Sequence, residues 1–326
     1  MKNDGGHMKK ITVMIPCYNE IENVEAIAKA VIDIFETDET LKKYDFDVQF
    51  IDNCSVDGTR EKLEEMCANE KRVKAIFNVK NFGQFNSPFY GMLQAKCDAL
   101  VLLCCDFQDP VELIPTFVKE WENGYKIVCG IKNHSKESKL LYGLRTIYYK
   151  LIKKFSTVEQ IEHFTGFGLY DNDFLDVLRK LDDPTPFLRG IVAEYGFKRK
   201  DVMYTQEKRR AGKTHNNWVS LLDAAMLSVT SYTRAGVRLA VCLGFVLTIF
   251  NFILALAYVI TAAFVPLLWH LWVIPILISI FLVGSVLMFF VGFVGEYVVS
   301  VNKRVTHRPL VVEEKRLNWE DEDAKK

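Results

Sequence analysis

The longest uncharged stretch of the chain constrains its fold more than any other feature. No Asp, Glu, Lys or Arg occurs between Arg238 and Glu296, a run of 57 residues in a chain of 326. About 20 apolar helical residues cross a bilayer core of roughly 30 Å, so the run holds two crossings. Pro266 interrupts it, and proline disfavours a helix interior. We predict spans at 239–263 and 273–295; a buried soluble hairpin is the alternative, which the apolar character on all sides disfavours.

Basic residues flank the uncharged run and are absent from its middle. Arg234 and Arg238 precede the run, and Lys303, Arg304 and Arg308 follow it. Because Lys and Arg are retained on the cytoplasmic side, we expect a multi-pass protein of the inner (cytoplasmic) membrane with both termini cytoplasmic. The first residues lead into a short strand without an apolar signal core. The long N-terminal part is therefore expected to stay in the cytosol.

Charge and cysteine content exclude some other classes. The chain has 41 basic and 41 acidic residues, whereas a general nucleic-acid binder carries a net basic field. No nucleic-acid partner is therefore expected. The eight cysteines show no CxxC spacing, which gives zinc or redox motifs little support. The pattern fits reduced thiols.

Ahead of the apolar run, short apolar stretches alternate with helical patterns. This alternation predicts an α/β fold with a doubly wound sheet, whose ligands bind at the carboxyl ends of the strands. We predict strands at 11–16, 47–52, 73–77, 99–106 and 126–131, and helices at 21–35, 59–68, 87–95 and 111–122. The mixed acidic and basic tail after Glu313 is predicted to be disordered.

Polar residues follow four of the predicted strands. A helix N-cap at Asn19 and solvated turns elsewhere are the ordinary alternatives, but four polar strand tips on one edge favour a ligand site. The candidate residues are Pro16, Tyr18, Asn19 and Glu20 at the end of the first strand, Asp52 at the end of the second, Asn81, Gly83 and Gln84 after the third, and Asp106, Gln108 and Asp109 at the end of the fourth.

An ordered set of motifs resembles a known family. The motifs are IPCYNE, Asp52, NFGQ, DFQDP, PFLRG, RRAGKT, the paired spans, GEYV and RP. Together they resemble the family 2 glycosyltransferases of the GT-A fold, and within them the membrane-bound polyprenyl-phosphate glycosyltransferases, which include bacterial undecaprenyl-phosphate glucosyltransferases and dolichol-phosphate mannose synthases. The resemblance implies a Rossmann-like, mixed and mostly parallel sheet domain, followed by two transmembrane helices and interfacial amphipathic helices.

The resemblance also implies an activity and roles for residues. Such enzymes transfer a sugar, with inversion, from a nucleotide diphosphate sugar to a polyprenyl phosphate. Asp106 and Asp109 would be catalytic, and Asp106 and Gln108 would hold Mg²⁺ or Mn²⁺, since hard cations prefer oxygen ligands. The nucleotide sugar would contact Pro16, Tyr18, Asn19, Glu20, Asp52, Asn81, Gly83, Gln84 and Asp106.

Several positions depart from the family pattern. Cys104 stands where relatives usually carry the first Asp of Asp-x-Asp, and a thiol is a poor ligand for Mg²⁺ or Mn²⁺. Asn53 replaces a common second Asp. Gly166 and Gly168 replace the Asp and Arg of Asp-Phe-Arg-Leu. A phosphate acceptor is already anionic near neutral pH, so transfer needs no strong general base.

The acceptor side is predicted from basic charge. The run 198–215 is rich in Lys and Arg, and the family motif assigns the acceptor phosphate to Arg209, Lys213 and Thr214. Residues 139–155 carry an apolar stripe and an uncompensated basic face, which favours a helix on the surface of a lipid bilayer over a core helix. Residues 218–229 are a second interfacial candidate.

The predicted organisation comprises a GT-A domain at 1–215, a juxtamembrane segment at 216–238, two transmembrane helices at 239–295 and a cytosolic tail at 296–326. UDP-glucose or another UDP-hexose is the expected donor and undecaprenyl phosphate the expected acceptor, giving a lipid-linked sugar for cell-surface glycan modification. The alternatives are an elongating transferase of lipid-linked saccharides and a catalytically weak nucleotide-sugar binder. The sequence leaves a monomer and a homo-oligomer open.

Overall fold

The computed structural model describes residues 8–133, 161–181, 183–207, 209–211, 235–264, 273–306 and 308–319. These residues form two compact units. The first unit holds strands β1 (Lys10–Cys17), β2 (Asp45–Asp52), β3 (Val73–Asn78), β4 (Ala99–Leu102), β5 (Ile127–Lys132), β6 (Phe164–Asp171), β7 (Arg199–Tyr204) and β8 (Glu313–Leu317). Its helices are α1 (Val24–Thr37), α2 (Thr59–Asn69), α3 (Gly83–Gln94), α4 (Ile114–Glu122), α5 (Asn172–Lys180) and α6 (Leu188–Glu194), with a 3-10 turn at Val111–Leu113.

The strands form one eight-stranded sheet in the order β7-β5-β6-β4-β1-β2-β3-β8. Strands β6 and β8 run antiparallel to their neighbours, whereas β1 pairs in parallel with β2 and β4, β2 with β3, and β5 with β7. The predicted mixed, mostly parallel sheet is confirmed. Cys17 lies opposite Asp52 in the β1–β2 register, so these two strands end together.

Helices cover both faces of the sheet. Alternate residues of a strand face opposite sides, and Val13 and Met14 of β1 accordingly belong to different hydrophobic clusters. The first cluster contains apolar residues of α1, α2 and α4, and the second contains those of α3, α5 and α6. The buried sheet therefore leaves only its edges and loops for a ligand, as expected for a doubly wound fold.

Two predictions about the sheet are wrong. The fourth strand ends at Leu102 rather than at residue 106, because the chain turns after the bond from Leu103 N–H to Met14 O (3.0 Å). The tail after Glu313 is not disordered over residues 313–317. It forms β8, which pairs with β3 and thereby satisfies the backbone groups of an open sheet edge.

The second unit contains two long apolar helices, α7 (Ala235–Phe264) and α8 (Val273–Val305). By length and composition, 243–261 (mean hydropathy 2.4) and 279–305 (mean hydropathy 2.0) could cross a membrane, and no residue of the most apolar windows is buried. Polar side chains bond to the carbonyl four residues earlier, as Thr248 does to Gly244 (2.8 Å) and Asn251 to Leu247 (2.9 Å). Hydrogen bonds of this kind within one helix suit an apolar surrounding, which offers polar side chains no other partner. The two predicted apolar helices are confirmed.

Candidate active site

The loops after β1 and β2 are tied together at the carboxyl edge of the sheet. Asn19 adopts left-handed backbone (φ 56°), its N–H donates to Ser55 Oγ at 2.8 Å, and its Oδ1 accepts from the N–H of Val56 at 2.9 Å. The N-cap position of α1 is Asn23. The alternative that Asn19 caps this helix is therefore wrong, and its side chain instead positions the neighbouring loop.

Asp52 is fully buried at the end of β2. Its Oδ2 accepts the N–H of Cys54 at 3.1 Å and of Ser55 at 3.2 Å, and Arg60 Nε lies 3.7 Å from the same oxygen. Burial raises the pKa of the Asp52 carboxyl, whereas these bonds and the Arg60 charge lower it. The carboxylate thus fixes the turn into α2, and contact with a nucleotide stays a prediction.

A network of asparagines organises the loop after β3. The Asn53 amide donates to Asn81 Oδ1 at 2.9 Å and to Gly83 O at 3.3 Å, and its Oδ1 accepts the N–H of Phe82 at 2.9 Å. Asn81 Oδ1 also accepts the N–H of Gly83 at 2.8 Å. A carboxylate at position 53 could not donate either amide bond. Asn53 therefore supports the loop that carries the predicted Asn81, Gly83 and Gln84.

Arg209 brings the ends of β1 and β4 together. Its guanidinium donates to Glu20, and its Nη1 lies 3.6 Å from Asp106 Oδ2. The side chains of Arg209, Glu20 and Asp106 are 20%, 10% and 14% exposed. Burial raises the pKa of Asp106, and Arg209 lowers it. The residue predicted to bind the acceptor phosphate thus lies against two residues predicted to bind the nucleotide sugar.

The predicted Asp109 lies near Asp106, together with Tyr204 and Lys132, which were missed from the sequence. The Tyr204 hydroxyl donates to Asp109 Oδ1 at 2.5 Å, and Asp109 Oδ2 is buried without a hydrogen-bond partner. Lys132 lies opposite Tyr204 in the β5–β7 register. Burial lowers the pKa of Lys132, and the charges of Asp109 and Asp106 oppose that effect. The one available signal was a basic residue directly after the apolar run at 126–131.

The remaining predicted site residues are distributed around these groups. Pro16 and Tyr18 are half-buried on either side of Cys17, and Gln84 is exposed at the start of α3. The N–H of Gln108 donates to Asp106 Oδ1 at 3.2 Å. Lys213 and Thr214 lie outside the described residues, as do the predicted interfacial segments at 139–155 and 218–229.

The side chains near Asp106 supply only some of the ligands that a divalent cation needs. Among the described residues, no group of three or more His, Cys, Asp or Glu side chains is placed to hold a metal. Asp109 is 1% exposed and its Oδ1 is bound by Tyr204, so Asp106 is the accessible carboxylate. Mg²⁺ is commonly held by one or two carboxylates together with substrate phosphates. Asp106 suits that arrangement once a diphosphate contributes further oxygens.

The sequence places the chain in a known family. Residues 12–196 match glycosyl transferase family 2. The chain therefore belongs to glycosyl transferase family 2 and is a glycosyltransferase, with the mixed sheet expected of the GT-A fold.

Individual relatives are similar along most of their length. The Bacillus subtilis (strain 168) protein CsbB, named as a glycosyltransferase, is 29% identical over 92% of this chain and 89% of its own. The bactoprenol glucosyl transferase of Shigella phage SfV is 27% identical over 92% of this chain and 96% of its own. Among solved structures, the mannosyltransferase PcManGT from Pyrobaculum calidifontis in complex with GDP-Man and Mn²⁺ has a TM-score of 0.47 and 15% identity, covering 68% of this chain and 63% of its own.

Proposed function

We propose that the protein transfers a hexose, with inversion, from a UDP-sugar to a polyprenyl phosphate at the cytoplasmic surface of a membrane. UDP-glucose is the proposed donor and undecaprenyl phosphate the proposed acceptor. The observation that carries the proposal is the position of Arg209 between Glu20 and Asp106, because it joins the motif predicted for the acceptor to residues predicted for the donor. The name of the phage relative, a bactoprenol glucosyl transferase, supports the same acceptor.

The donor is proposed to lie along the carboxyl ends of β1, β2 and β4. Base and ribose would contact the loops held by Asn19 and Asp52, and the diphosphate would approach Asp106. In its present pairing the Arg209 guanidinium is bound by carboxylates. When the acceptor binds, Arg209 would exchange these carboxylates for oxygens of the acceptor phosphate, to which a planar guanidinium can donate two parallel hydrogen bonds.

The chemistry requires stabilisation of the leaving group more than activation of the nucleophile. An acceptor phosphate oxygen forms the new bond to the anomeric carbon, and the bond from that carbon to the nucleotide diphosphate breaks with its electron pair. A Mg²⁺ or Mn²⁺ ion held by Asp106, with Gln108 as a further oxygen ligand, would neutralise charge on the departing diphosphate. The protonated form of Lys132 would supply positive charge nearby, and Asp109 holds the Tyr204 hydroxyl and orients the loop.

The acceptor is proposed to arrive from the bilayer. Helices α7 and α8 would anchor the protein as a two-span membrane protein, and Arg209, Lys213 and Thr214 would meet the lipid phosphate. The proposed organisation keeps the boundaries 1–215, 216–238, 239–295 and 296–326, with β8 of the tail added to the catalytic sheet. Both termini would be cytoplasmic.

A transfer assay with purified full-length protein tests this proposal. Labelled UDP- and GDP-sugars would be supplied with undecaprenyl phosphate in detergent, with and without Mg²⁺ or Mn²⁺. We expect a lipid-extractable product from UDP-glucose that depends on the metal. Transfer only to a lipid-linked saccharide would overturn the acceptor in favour of an elongating enzyme, and nucleotide-sugar binding without any product would favour the weak binder.

A pair of variants tests the role of Asp106. Asp106→Asn should lower the transfer rate by at least about a hundredfold, because a preorganised charge at the leaving group is lost. Asp33→Asn removes an exposed carboxylate of α1 and serves as the matched control, with an unchanged rate. Equal rates in the two variants would contradict the assignment.

A further inference from the structure

The C-terminal strand is held to the catalytic sheet by more than its backbone ladder. Beyond its pairing with β3, Lys315 Nζ binds Glu64 Oε1 at 2.6 Å, and Arg316 donates to Gln94 Oε1 at 2.9 Å. The Asn318 amide donates to Cys67 O at 2.6 Å and to Val73 O at 2.8 Å. The strand thus contacts α2, β3 and α3 together.

A further contact of the strand leads into the candidate active site. Arg60 Nη2 donates to Glu314 Oε2 at 2.5 Å, while Arg60 Nε lies 3.7 Å from Asp52 Oδ2. The Arg60 guanidinium also lies 5.3 Å from the centre of the Phe77 ring. Arg60 therefore joins an exposed residue of the tail, Glu314, to the fully buried carboxylate at the end of β2.

We propose that Glu314 is a positioning residue for the nucleotide end of the active site. It holds Arg60 in the orientation that supports Asp52 and the turn after β2. The proposal rests on the proposed function, which assigns Asp52 to the nucleotide site. The tail would thereby contribute to donor affinity without touching the donor.

The chemistry of arginine supports this role. An arginine side chain has many rotamers, and one long contact to a buried carboxylate leaves most of them accessible. The second carboxylate and the Phe77 ring restrict the guanidinium to one orientation. The turn itself depends on Asp52, which accepts the N–H groups of Cys54 and Ser55. Loosening Arg60 should therefore loosen the loop that faces the base.

The experiment compares two glutamates that each pair with a basic residue between the tail and α2. Full-length protein in detergent would be titrated calorimetrically with UDP and with GDP, and assayed for transfer. Glu314→Gln should weaken nucleotide binding about two- to fivefold, the range of a partly exposed ion pair, and raise the KM of the donor with little change in kcat. Glu64→Gln, which breaks the Lys315 pair, should leave both unchanged.

A double-mutant cycle shows whether Glu314 acts through Arg60 or whether its substitution weakens the attachment of the tail in general. Arg60→Met should weaken nucleotide binding at least as much as Glu314→Gln, and Glu314→Gln should have no further effect in the Arg60→Met background. Independent, additive effects would overturn the proposal, as would equal nucleotide affinities for Glu314→Gln and Glu64→Gln. Glu314→Asp, which retains the charge, should restore part of the affinity.

Asp52→Asn distinguishes failure of this proposal from failure of the proposed function. If Asp52→Asn weakens nucleotide binding while Glu314→Gln behaves like Glu64→Gln, only the role of the tail is overturned. If Asp52→Asn leaves nucleotide binding unchanged, or if neither nucleotide binds the unmodified protein, the nucleotide assignment itself is wrong and this proposal falls with it.

Discussion

Burial controls the charge of the ionisable residues at the strand ends. The pKa values of the Asp52 and Asp106 carboxyls are raised because burial disfavours their charged forms, and the pKa of the Lys132 ammonium is lowered for the same reason. Arg60 opposes the shift at Asp52, and Arg209 opposes it at Asp106. Each arginine therefore offsets part of the effect of burial on the pKa of a carboxyl group at the edge where the donor is proposed to bind.

The pH dependence of transfer follows from Lys132. Its lowered pKa means that the side chain loses its proton, and its positive charge, at a lower pH than an ordinary lysine. We expect kcat/KM to decline on the alkaline side before pH 10.5, the usual lysine value, is reached. Lys132→Arg keeps its charge at all these pH values, so its decline should move to higher pH.

Lys80→Arg provides the control for this measurement, because Lys80 is exposed. Its pH profile should match that of the unmodified protein. Profiles of kcat/KM between pH 7 and 10.5 would be recorded for all three proteins at saturating metal. An identical alkaline limb in Lys132→Arg and the unmodified protein would show that another group titrates there.

At the level of single elements, β6 explains a departure from the family pattern. Gly168 lies between β4 and β5, and a Cβ atom there would meet Val128 O at 2.2 Å. Gly166 has φ +110°, which strains any residue with a side chain. The packing of this strand therefore requires glycine at position 168, where an arginine has no room, and the backbone conformation favours glycine at position 166.

Substitution of Gly168 tests this explanation. Gly168→Ala should destabilise the protein by about 1–3 kcal/mol, because overpacking against backbone forces the strands apart. Gly244→Ala is the matched control, since a Cβ atom at that helical position meets nothing within 4 Å. Thermal unfolding in detergent would be followed for both variants. A midpoint for Gly168→Ala at or above that of Gly244→Ala would refute the packing role.

The elements that were predictable from sequence are those with a local pattern. Strands β1 to β5 are largely buried and rich in apolar residues because both faces of the sheet are covered. By contrast, β7 has one buried residue in six and begins with three charged residues, and four of the five residues of β8 are charged. Their stability comes from pairing with residues distant in sequence, so local propensity carries little signal.

The residues of the candidate site also divide into those that a local sequence pattern indicates and those that only long-range contacts bring together. Asn19, Asp52 and Asp106 were found because they follow predictable strands. Tyr204 was missed together with β7, and Lys132 gave only the weak signal of a basic residue after a strand. The pairing of Arg209 with Glu20 joins residues 189 positions apart, and no local pattern indicates such a contact.

At the scale of the whole molecule, the two apolar helices predict a testable topology. Basic residues occur at the outer ends of α7 and α8 and are absent from the segment between them, so both termini should be cytoplasmic. Alkaline phosphatase, which requires disulfides, would be fused at different points in a bacterial host. Fusion after Phe264 should be active, and fusion after Trp319 should be inactive.

Fusion after Gln94, at the end of α3, provides a cytoplasmic reference and should also be inactive. Comparable expression of the three fusions would be checked by immunoblotting. High activity of the fusion after Trp319 would contradict a cytoplasmic tail, and inactivity after Phe264 would contradict the outward loop.

The pairing of β8 with β3 also affects the order in which the protein is made. The residues of β1 to β7 leave the ribosome before α7 and α8, whereas Glu313–Leu317 follow both helices. Until they arrive, β3 is an unpaired sheet edge, which is open to pairing with other chains. Strand β8, which is translated after both apolar helices, therefore completes this edge of the sheet, so maturation of the catalytic domain waits for synthesis of both helices. Chains truncated before Glu313 would carry an aggregation-prone edge.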